Sequence, residues 1–579
     1  MEKARKDLEE TIHESDRKKE FYKFLPERGL PPDAILSEAE LYEAMSEYTF
    51  YDGRVSGVMY TDYDEEHRKL LENIFTMFAY SNPLHPDLFP GCRKMEAEIV
   101  RIVCSLLHGG APSCGTVTSG GTESIILACL AHAVFDLLLS VQPSRFKTHA
   151  SNMLLIFTMF AYSNPLHPDL FPGCRKMEAE IVRIVCSLLH GGAPSCGTVT
   201  SGGTESIILA CLAYRNRAYE RGIRHPEMIV PITAHSAFDK ASQLLHIRIH
   251  HVPVDKNQRA DLVASAPNFP SGTVDNIEAI SELAQRYGIP LHVDACLGGF
   301  LLPFMERCDF PVPAFDFRVA GVTSISVDTH KYGFAPKGTS LILYRDVSLL
   351  HHQYFCYGDW PGGIYATPTL GGSRNGCAIA LTWATLLYYG RHRYTERTQA
   401  IIEAARLIRA GIEENPHLEP LGDSDVSVIA FTSDKFNVYA LADRMKKMGW
   451  TLSTLQNPAA LHVCVTMNHT KAGVVDDFLR DLSSACEDLV ANPGLQQTRT
   501  AAIYGMASAV PDKCLVEEVS YLYLDSCYAM PAPVVVGRTL SIEGRKMSLI
   551  GGQPPVFPPS SLANATAGGP IYESNASQT

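Results

Sequence analysis

Apolar residues recur every three to four positions over Met177 to Leu189 and again over Ile277 to Arg286, the spacing of amphipathic helices. Short runs rich in aliphatic and β-branched residues surround them: Met228 to Ile232, Ile247 to Val254, Leu262 to Ala266, Ile289 to Cys296 and Val322 to Val327. Helix and strand patterns alternating in this way predict an α/β domain on a largely parallel sheet, with ligands gathered at the carboxyl ends of the strands.

Two irregularities interrupt the pattern. Residues Ile74 to Ala131 recur letter for letter as Ile156 to Ala213, an offset of 82 positions. Repeats that pack against different neighbours diverge, so identity argues against a solenoid and for a block doubled by a splice error or faulty gene model. Residues His132 to Leu155 between the copies read as a spurious insert. Downstream, only Asp255 to Asp261 separates the strand-like Ile247–Val254 from Leu262–Ala266, too little for the crossover that adjacent parallel strands need. Either the two strands pair differently or a crossover helix is missing.

Composition narrows the function classes. The 579 residues are 46% hydrophobic and 20% charged, enough for a large core and more than one domain. A formal charge of -13 with no basic concentration excludes a nucleic-acid partner. The 16 cysteines form no CxxC pair and no metal-like spacing, so no metal site is expected and free thiols are the reading. Met1 to Lys23 is nearly all charged, a solvated helix rather than a signal or span, and Leu154 to Tyr162 is too short to cross a bilayer. Beyond Met530 the Pro, Gly, Ser, Ala and Asn tail reads as disordered.

Four features carry chemistry. Thr200-Ser201-Gly202-Gly203-Thr204-Glu205-Ser206 runs straight into a helical stretch, and a Gly-rich helix entry can hold a phosphate on free N–H groups as readily as it can be a plain cap. Asp294 ends a buried strand, where a carboxylate either caps the next element or keeps a pyridine nitrogen protonated. Lys331 follows the strand Val322–Val327 within Asp328-Thr329-His330-Lys331-Tyr332-Gly333; desolvation there would lower its pKa and free its amine to attack an aldehyde. His235 follows the strand Met228–Ile232 and is either a buried structural histidine or a ring lying on the cofactor. Taken together, glycine loop, carboxylate and lysine point to a pyridoxal-phosphate site with Lys331 holding the cofactor.

The motifs Asn164-Pro165-Leu166-His167-Pro168-Asp169, His292 to Phe300, Asp328 to Gly333, Ala335 to Gly338, Gly362-Gly363-Ile364-Tyr365 and Ala502-Ile503-Tyr504-Gly505 resemble those of the sphingosine-1-phosphate lyase family. That family belongs to the pyridoxal-phosphate decarboxylase superfamily of fold-type I, and the resemblance runs from about Arg54 to about Tyr528. It implies a large mixed or parallel sheet domain over 54–365, a smaller C-terminal α+β domain over 366–528, a charged helical segment over 1–53 and a tail over 529–579. It implies that Lys331 binds the cofactor, Asp294 pairs with the pyridinium and His235 stacks on the ring. Gly203, Thr204 and His330 would hold the cofactor phosphate, Asn164 and His167 the substrate phosphate, and Tyr365 and Lys337 would complete the catalytic pocket. It further implies a homodimer in which Asn164 and His167 reach the partner's site, a phosphorylated sphingoid base as substrate, and the cytosolic face of the endoplasmic-reticulum membrane as location. As written, the chain carries no span.

The sequence departs from the family at Pro361, where Gln is usual, and at the short Asp255–Asp261 link. Asn82, His85, Gly121 and Thr122 of the first copy duplicate site positions; the second copy is preferred, because only its helix continues into Tyr214-Arg215-Asn216-Arg217. The alternatives are an amino-acid decarboxylase and an inert product of a faulty gene model.

Overall fold

The computed structural model describes residues 2–13, 20–46, 64–82, 85, 88–109, 113–133, 151–260, 264–424, 426–498, 500–502, 504 and 513–528. The tail expected over 529–579, the 53/54 boundary, most of the insert, and residues 503 and 505 of the Ala502–Gly505 motif lie outside them.

The expected runs become strands close to where the pattern put them. The main sheet contains β1 (Cys196–Thr200), β4 (Ala264–Ser265), β5 (Leu291–Asp294), β6 (Val322–Val327) and β7 (Ser340–Tyr344), in the order β1-β7-β6-β5-β4. β4, β5 and β6 are parallel, while β7 is antiparallel to both β6 and β1, so the sheet is mixed. β2 (Glu227–Pro231) and β3 (Arg248–Val252) pair in parallel as a separate two-stranded sheet.

β3 therefore does not pair with β4, and the short link between them never has to serve as a crossover between neighbours. Asp275 ties the ends of this link together: its carboxylate accepts from Ala260 N at 2.9 Å and from Ser265 N at 2.7 Å.

Counting helices of eight residues or more, the N-terminal part holds α1 (Glu2–Ile12), α2 (Pro32–Glu43) and α3 (Glu65–Phe78). The first copy then forms α4 (Pro90–Leu106) and α5 (Gly121–Ala133); α6 (Ser151–Phe160), α7 (Pro172–Leu188) and α8 (Gly203–Glu220) follow in the second. α4 and α7 have the same sequence, PGCRKMEAEIVRIVCSL, yet different surroundings. α7 packs on α2 and on α11 (Gly376–Glu413), burying Met177, Ile181, Ile184, Val185 and Leu188, each worth roughly 1.5–3 kcal/mol. In α4 only Ala97 is buried.

Polar contacts follow the same division. Glu180 of α7 is fully buried and accepts from Trp383 Nε1 at 2.6 Å and Tyr42 Oη at 2.9 Å, with Lys176 Nζ at 3.2 Å. Desolvation raises its pKa against the pull of these partners. Its duplicate, Glu98, pairs with Lys94 at 3.3 Å on an exposed face.

α9 (Ala237–Leu245) follows β2, and α10 (Ile277–Tyr287), capped by Asn276 and ended by Gly288 in the left-handed region (φ 64), precedes β5. The long α11 breaks at Gly390 (φ 57, ψ 178), where an added Cβ would lie 2.5 Å from Gly29 N. The N–H groups freed beyond the break are taken by Pro26 and Glu27 carbonyls. A second sheet, in the order β10 (Glu419–Pro420), β11 (Val428–Thr432), β13 (Ala460–Cys464), β12 (Ser453–Leu455), carries α12 (Val438–Lys447), and α13 (Val474–Ala491) packs on α12 and α11. α14 (Lys513–Tyr528) lies against α4. β8 (Phe355–Tyr357) and β9 (Tyr365–Thr367) form a hairpin whose loop exposes Pro361.

Candidate active site

β5 and β6 run parallel with Asp294 opposite Ser326, so their carboxyl ends open on the same edge of the main sheet. Asp294 ends β5. Its Oδ1 accepts from Cys296 N at 3.0 Å and Ser326 Oγ at 3.1 Å. Ser326 Oγ lies 3.2 Å from His292 Nε2, and His292 Nδ1 lies 2.8 Å from Ser324 Oγ. Burial pushes His292 down to about 4 against the opposing charge of Asp294, so the imidazole is neutral at physiological pH. With Ser326 donating to Asp294, the ring proton sits on Nε2, and the chain fixes the carboxylate at the strand end.

Lys331 stands four residues past β6. Its Nζ is 2.9 Å from Asp328 Oδ2, and about a third of the side chain is exposed. Desolvation opposes its charge, but the Asp328 carboxylate outweighs it and holds the ammonium above the ordinary lysine range. The sequence argument that desolvation would lower this pKa is thus corrected by a neighbour three residues upstream. Asp328, though desolvated, is held below the usual carboxylate range by the charges of Lys331 and His330. Its other oxygen, Oδ1, is buried with no hydrogen-bond partner among the described residues.

The glycine loop meets the lysine segment through that carboxylate. A Cβ built on Gly203 would lie 2.9 Å from Asp328 Oδ1 and 2.9 Å from Cys296 Sγ, so only glycine lets α8 begin this close. Gly203 and Thr204 occupy the first positions of α8, whose opening N–H groups have no acceptor within the helix. Ser201 N and Oγ donate to Glu205 Oε2 at 2.7 and 2.8 Å, fixing the turn.

His330 Nδ1 donates to Thr339 O at 2.6 Å, and its Nε2 lies 3.6 Å from Asp328 Oδ2. Desolvation holds it below the usual histidine range. Lys337, between β6 and β7, is lowered first by desolvation and then by the charge of Lys331. His235 is exposed just past β2, its Nδ1 accepting from Ala237 N at 3.1 Å. The edge therefore brings together Lys331, His330, Lys337 and Gly203, with Asp294 at the end of the adjoining β5.

Asn164, His167 and Tyr365 lie on other ground. Asn164 Oδ1 accepts from Leu166 N at 3.2 Å and Arg374 N at 3.1 Å, and its Nδ2 donates to Ser373 Oγ at 3.2 Å. Leu166 and Tyr365 line a cleft of about 230 Å³ together with the first-copy turn Ser119 to Thr122. Asp328 escaped the sequence reading of roles although it opens the very motif that singled out Lys331; its i,i+3 spacing to the lysine was the available signal.

These residues fit pyridoxal phosphate: an amine for its aldehyde, a helix start that only glycine can form for its phosphate, a strand-end carboxylate for its ring nitrogen, and a buried carboxylate oxygen awaiting a donor.

Residues 262–434 match the pyridoxal-dependent decarboxylase conserved domain. The chain is 47% identical over 397 residues to sphingosine-1-phosphate lyase 1 of Rattus norvegicus, covering 66% of this chain and 70% of that protein. It is 46% identical over 393 residues to the sphingosine-1-phosphate lyase of Drosophila melanogaster, covering 65% and 72%. A solved sphingosine-1-phosphate lyase from Burkholderia pseudomallei superposes with a TM-score of 0.58 at 39% identity, over 66% of this chain and 95% of that one. Glutamate decarboxylase of Lactobacillus brevis shares the fold at 20% identity, with a TM-score of 0.53.

Proposed function

The chain belongs to the sphingosine-1-phosphate lyase family, and from that membership we propose how its residues cleave a phosphorylated sphingoid base into a fatty aldehyde and phosphoethanolamine. The observation that carries the reading is the identity across 70% of a sphingosine-1-phosphate lyase, together with the seating of Lys331 against Asp328 below the Gly203 turn.

Pyridoxal phosphate, when bound, supplies an electron sink for the bond that breaks at substrate C2. Lys331 would hold its aldehyde carbon. Asp294, fixed by Ser326 and the Cys296 N–H, would keep the ring nitrogen protonated. Gly203, Thr204 and His330 would bind its phosphate, and His235 would cover its ring. The C3 hydroxyl must lose its proton as the C2–C3 bond breaks; C3 leaves as the aldehyde carbonyl and C2 takes up a proton. Lys337, with its pKa lowered by desolvation, suits the holding and moving of that proton, and Tyr365, which lines the cleft with Leu166, would share the catalytic role.

Asn164 and His167 would bind the substrate phosphate. In the family these two residues reach the substrate phosphate of the partner subunit, and a homodimer is the arrangement expected from it. The family also points to the endoplasmic-reticulum membrane as location. Among the described residues no helix is long and apolar enough to cross a membrane.

Purified protein with pyridoxal phosphate should release long-chain aldehyde and phosphoethanolamine from a phosphorylated sphingoid base, and Lys331→Ala should abolish both the release and the cofactor's visible absorbance band. Carbon dioxide evolved from an amino acid, with no aldehyde from the sphingoid base, would replace this reading with a decarboxylase.

A further inference from the structure

A chain of hydrogen bonds leads from Asp294 back to α8. Ser326 Oγ donates to Asp294 Oδ1 at 3.1 Å and, with its one proton committed there, accepts from His292 Nε2 at 3.2 Å. His292 Nδ1 then accepts from the Ser324 hydroxyl at 2.8 Å. Ser324 Oγ is in turn bonded to the hydroxyl of Tyr214 on α8. Tyr214 Oη also lies 2.7 Å from Thr323 Oγ1, which takes the Leu291 N–H at 3.0 Å, so the far end is moored to the first residue of the strand that Asp294 ends. Burial pushes the Tyr214 phenol up to about 12, so it keeps a proton to give. With Tyr214 donating to Ser324, every proton in the chain points toward the one charge, the carboxylate. Donors aligned in this way polarise one another, by roughly 10–30% per bond.

We propose that Tyr214 is a positioning residue for the cofactor ring, acting through Ser324, His292 and Ser326 to keep Asp294 ionised and the ring nitrogen protonated. The inference rests on the reading of Asp294 as the partner of that nitrogen, but the chain of bonds does not. The bonds from Ser326 and from Cys296 N both fall on Oδ1 of Asp294, which leaves Oδ2 for a further donor. A carboxylate whose donors are weakened draws a shared proton toward itself, so loss of the Tyr214 hydroxyl is felt at the ring. Tyr214 is also the first residue beyond the doubled block, and the first copy has His132 in that place. Of the two identical helix openings, only the one at Gly203 leads on to this tyrosine.

Nitrogen NMR of the full-length protein, loaded with pyridoxal phosphate isotope-labelled at its ring nitrogen, tests this. The parent should show a protonated ring nitrogen. In Tyr214→Phe the signal should move toward the unprotonated position, and Ser324→Ala, which cuts the next link, should move it at least as far. Tyr344→Phe is the control: Tyr344 is equally a buried tyrosine against α8, but its hydroxyl donates to Leu209 O at 3.3 Å, outside the chain, so the signal should stay in place. A ring nitrogen unprotonated in the parent would overturn the pairing with Asp294 and this proposal with it. A protonated nitrogen indifferent to both Tyr214→Phe and Ser324→Ala, or moved as far by Tyr344→Phe, would overturn the role of the chain alone. The readout involves no turnover, so a failure to release aldehyde would remove the lyase reading while leaving this one standing.

Discussion

The Nζ of Lys331 lies 2.9 Å from Oδ2 of Asp328, and this pair sets the protonation of the site before any cofactor enters it. An ammonium held above the ordinary lysine range is a poor nucleophile at neutral pH, so the carboxylate that steadies the lysine also restrains it.

Replacing Asp328 by Asn should therefore release the lysine. With the largest opposing charge gone, desolvation is resisted only by the weaker pull of Cys296 and Asp294 and the Lys331 pKa falls, so the alkaline rise in the rate of cofactor binding moves to lower pH. Stopped-flow absorbance of the visible cofactor band across pH 6 to 10 reads this directly; an unmoved limb would show that Asp328 does not control the amine.

Gly203 and Gly121 offer a matched pair. Alanine at Gly203 brings a Cβ to 2.9 Å from Asp328 Oδ1 and Cys296 Sγ, while nothing lies within 4 Å of the same atom on Gly121. Gly203→Ala should cost about 1–3 kcal/mol and weaken cofactor affinity, whereas Gly121→Ala should leave both within about 0.5 kcal/mol of the parent. Denaturant melts and cofactor titrations of the two variants distinguish the cases.

Ile184 and Ile102 form another. Ile184 is 1% exposed in the core and Ile102 is 66% exposed on α4. Ile184→Ala should destabilise by about 2–5 kcal/mol and Ile102→Ala by no more than about 0.5 kcal/mol. Equal losses would mean that the two copies are buried alike.

Asp275 should make stability depend on pH near neutrality. Burial pushes its carboxyl from 3.8 up to about 7, against the pull of the Ala260 and Ser265 N–H groups. A folded pKa above the unfolded one contributes stability that is full below about pH 4 and lost as pH rises toward 7. At about 1.4 kcal/mol per unit the change is at most roughly 4 kcal/mol. Melting temperature should fall from pH 4.5 to 7.5, and Asp275→Asn should flatten that part of the curve.

Much of the site's scaffold was legible in one dimension. The apolar run Val322–Val327 is β6 to the residue, and the strand that ends at Asp294 lies where its pattern put it. A period of two and a run of aliphatic residues are local properties, and a buried strand has few other forms to take. The roles of Asp328 and of Ser326 were not legible, because hydrogen bonds between side chains depend on which strands become neighbours. Nor could the pattern show that β3 would leave β4 to pair with β2.

The doubled block separates the two kinds of information within one molecule. Both copies form the helix Pro-Gly-Cys-Arg through Ser-Leu, turn through a left-handed histidine (His108, φ 59; His190, φ 56), and close the turn with the same 2.7 Å bond, Gly109 N to Cys104 O and Gly191 N to Cys186 O. In both, an arginine, Arg101 or Arg183, donates to a serine carbonyl twelve residues on at 2.7 Å. These contacts span a few turns of chain, so the sequence by itself determined them. Cys196–Thr200 is a strand and the identical Cys114–Thr118 is not, because a strand's hydrogen bonds need a partner, and only the second copy lies beside β7. Burial of Glu180, Ile184 and the helix start at Gly203 likewise depends on α2, α11 and Asp328 being there to receive them. The letters chose the helices and their turns; the tertiary neighbours decided which copy would be core and which would face it.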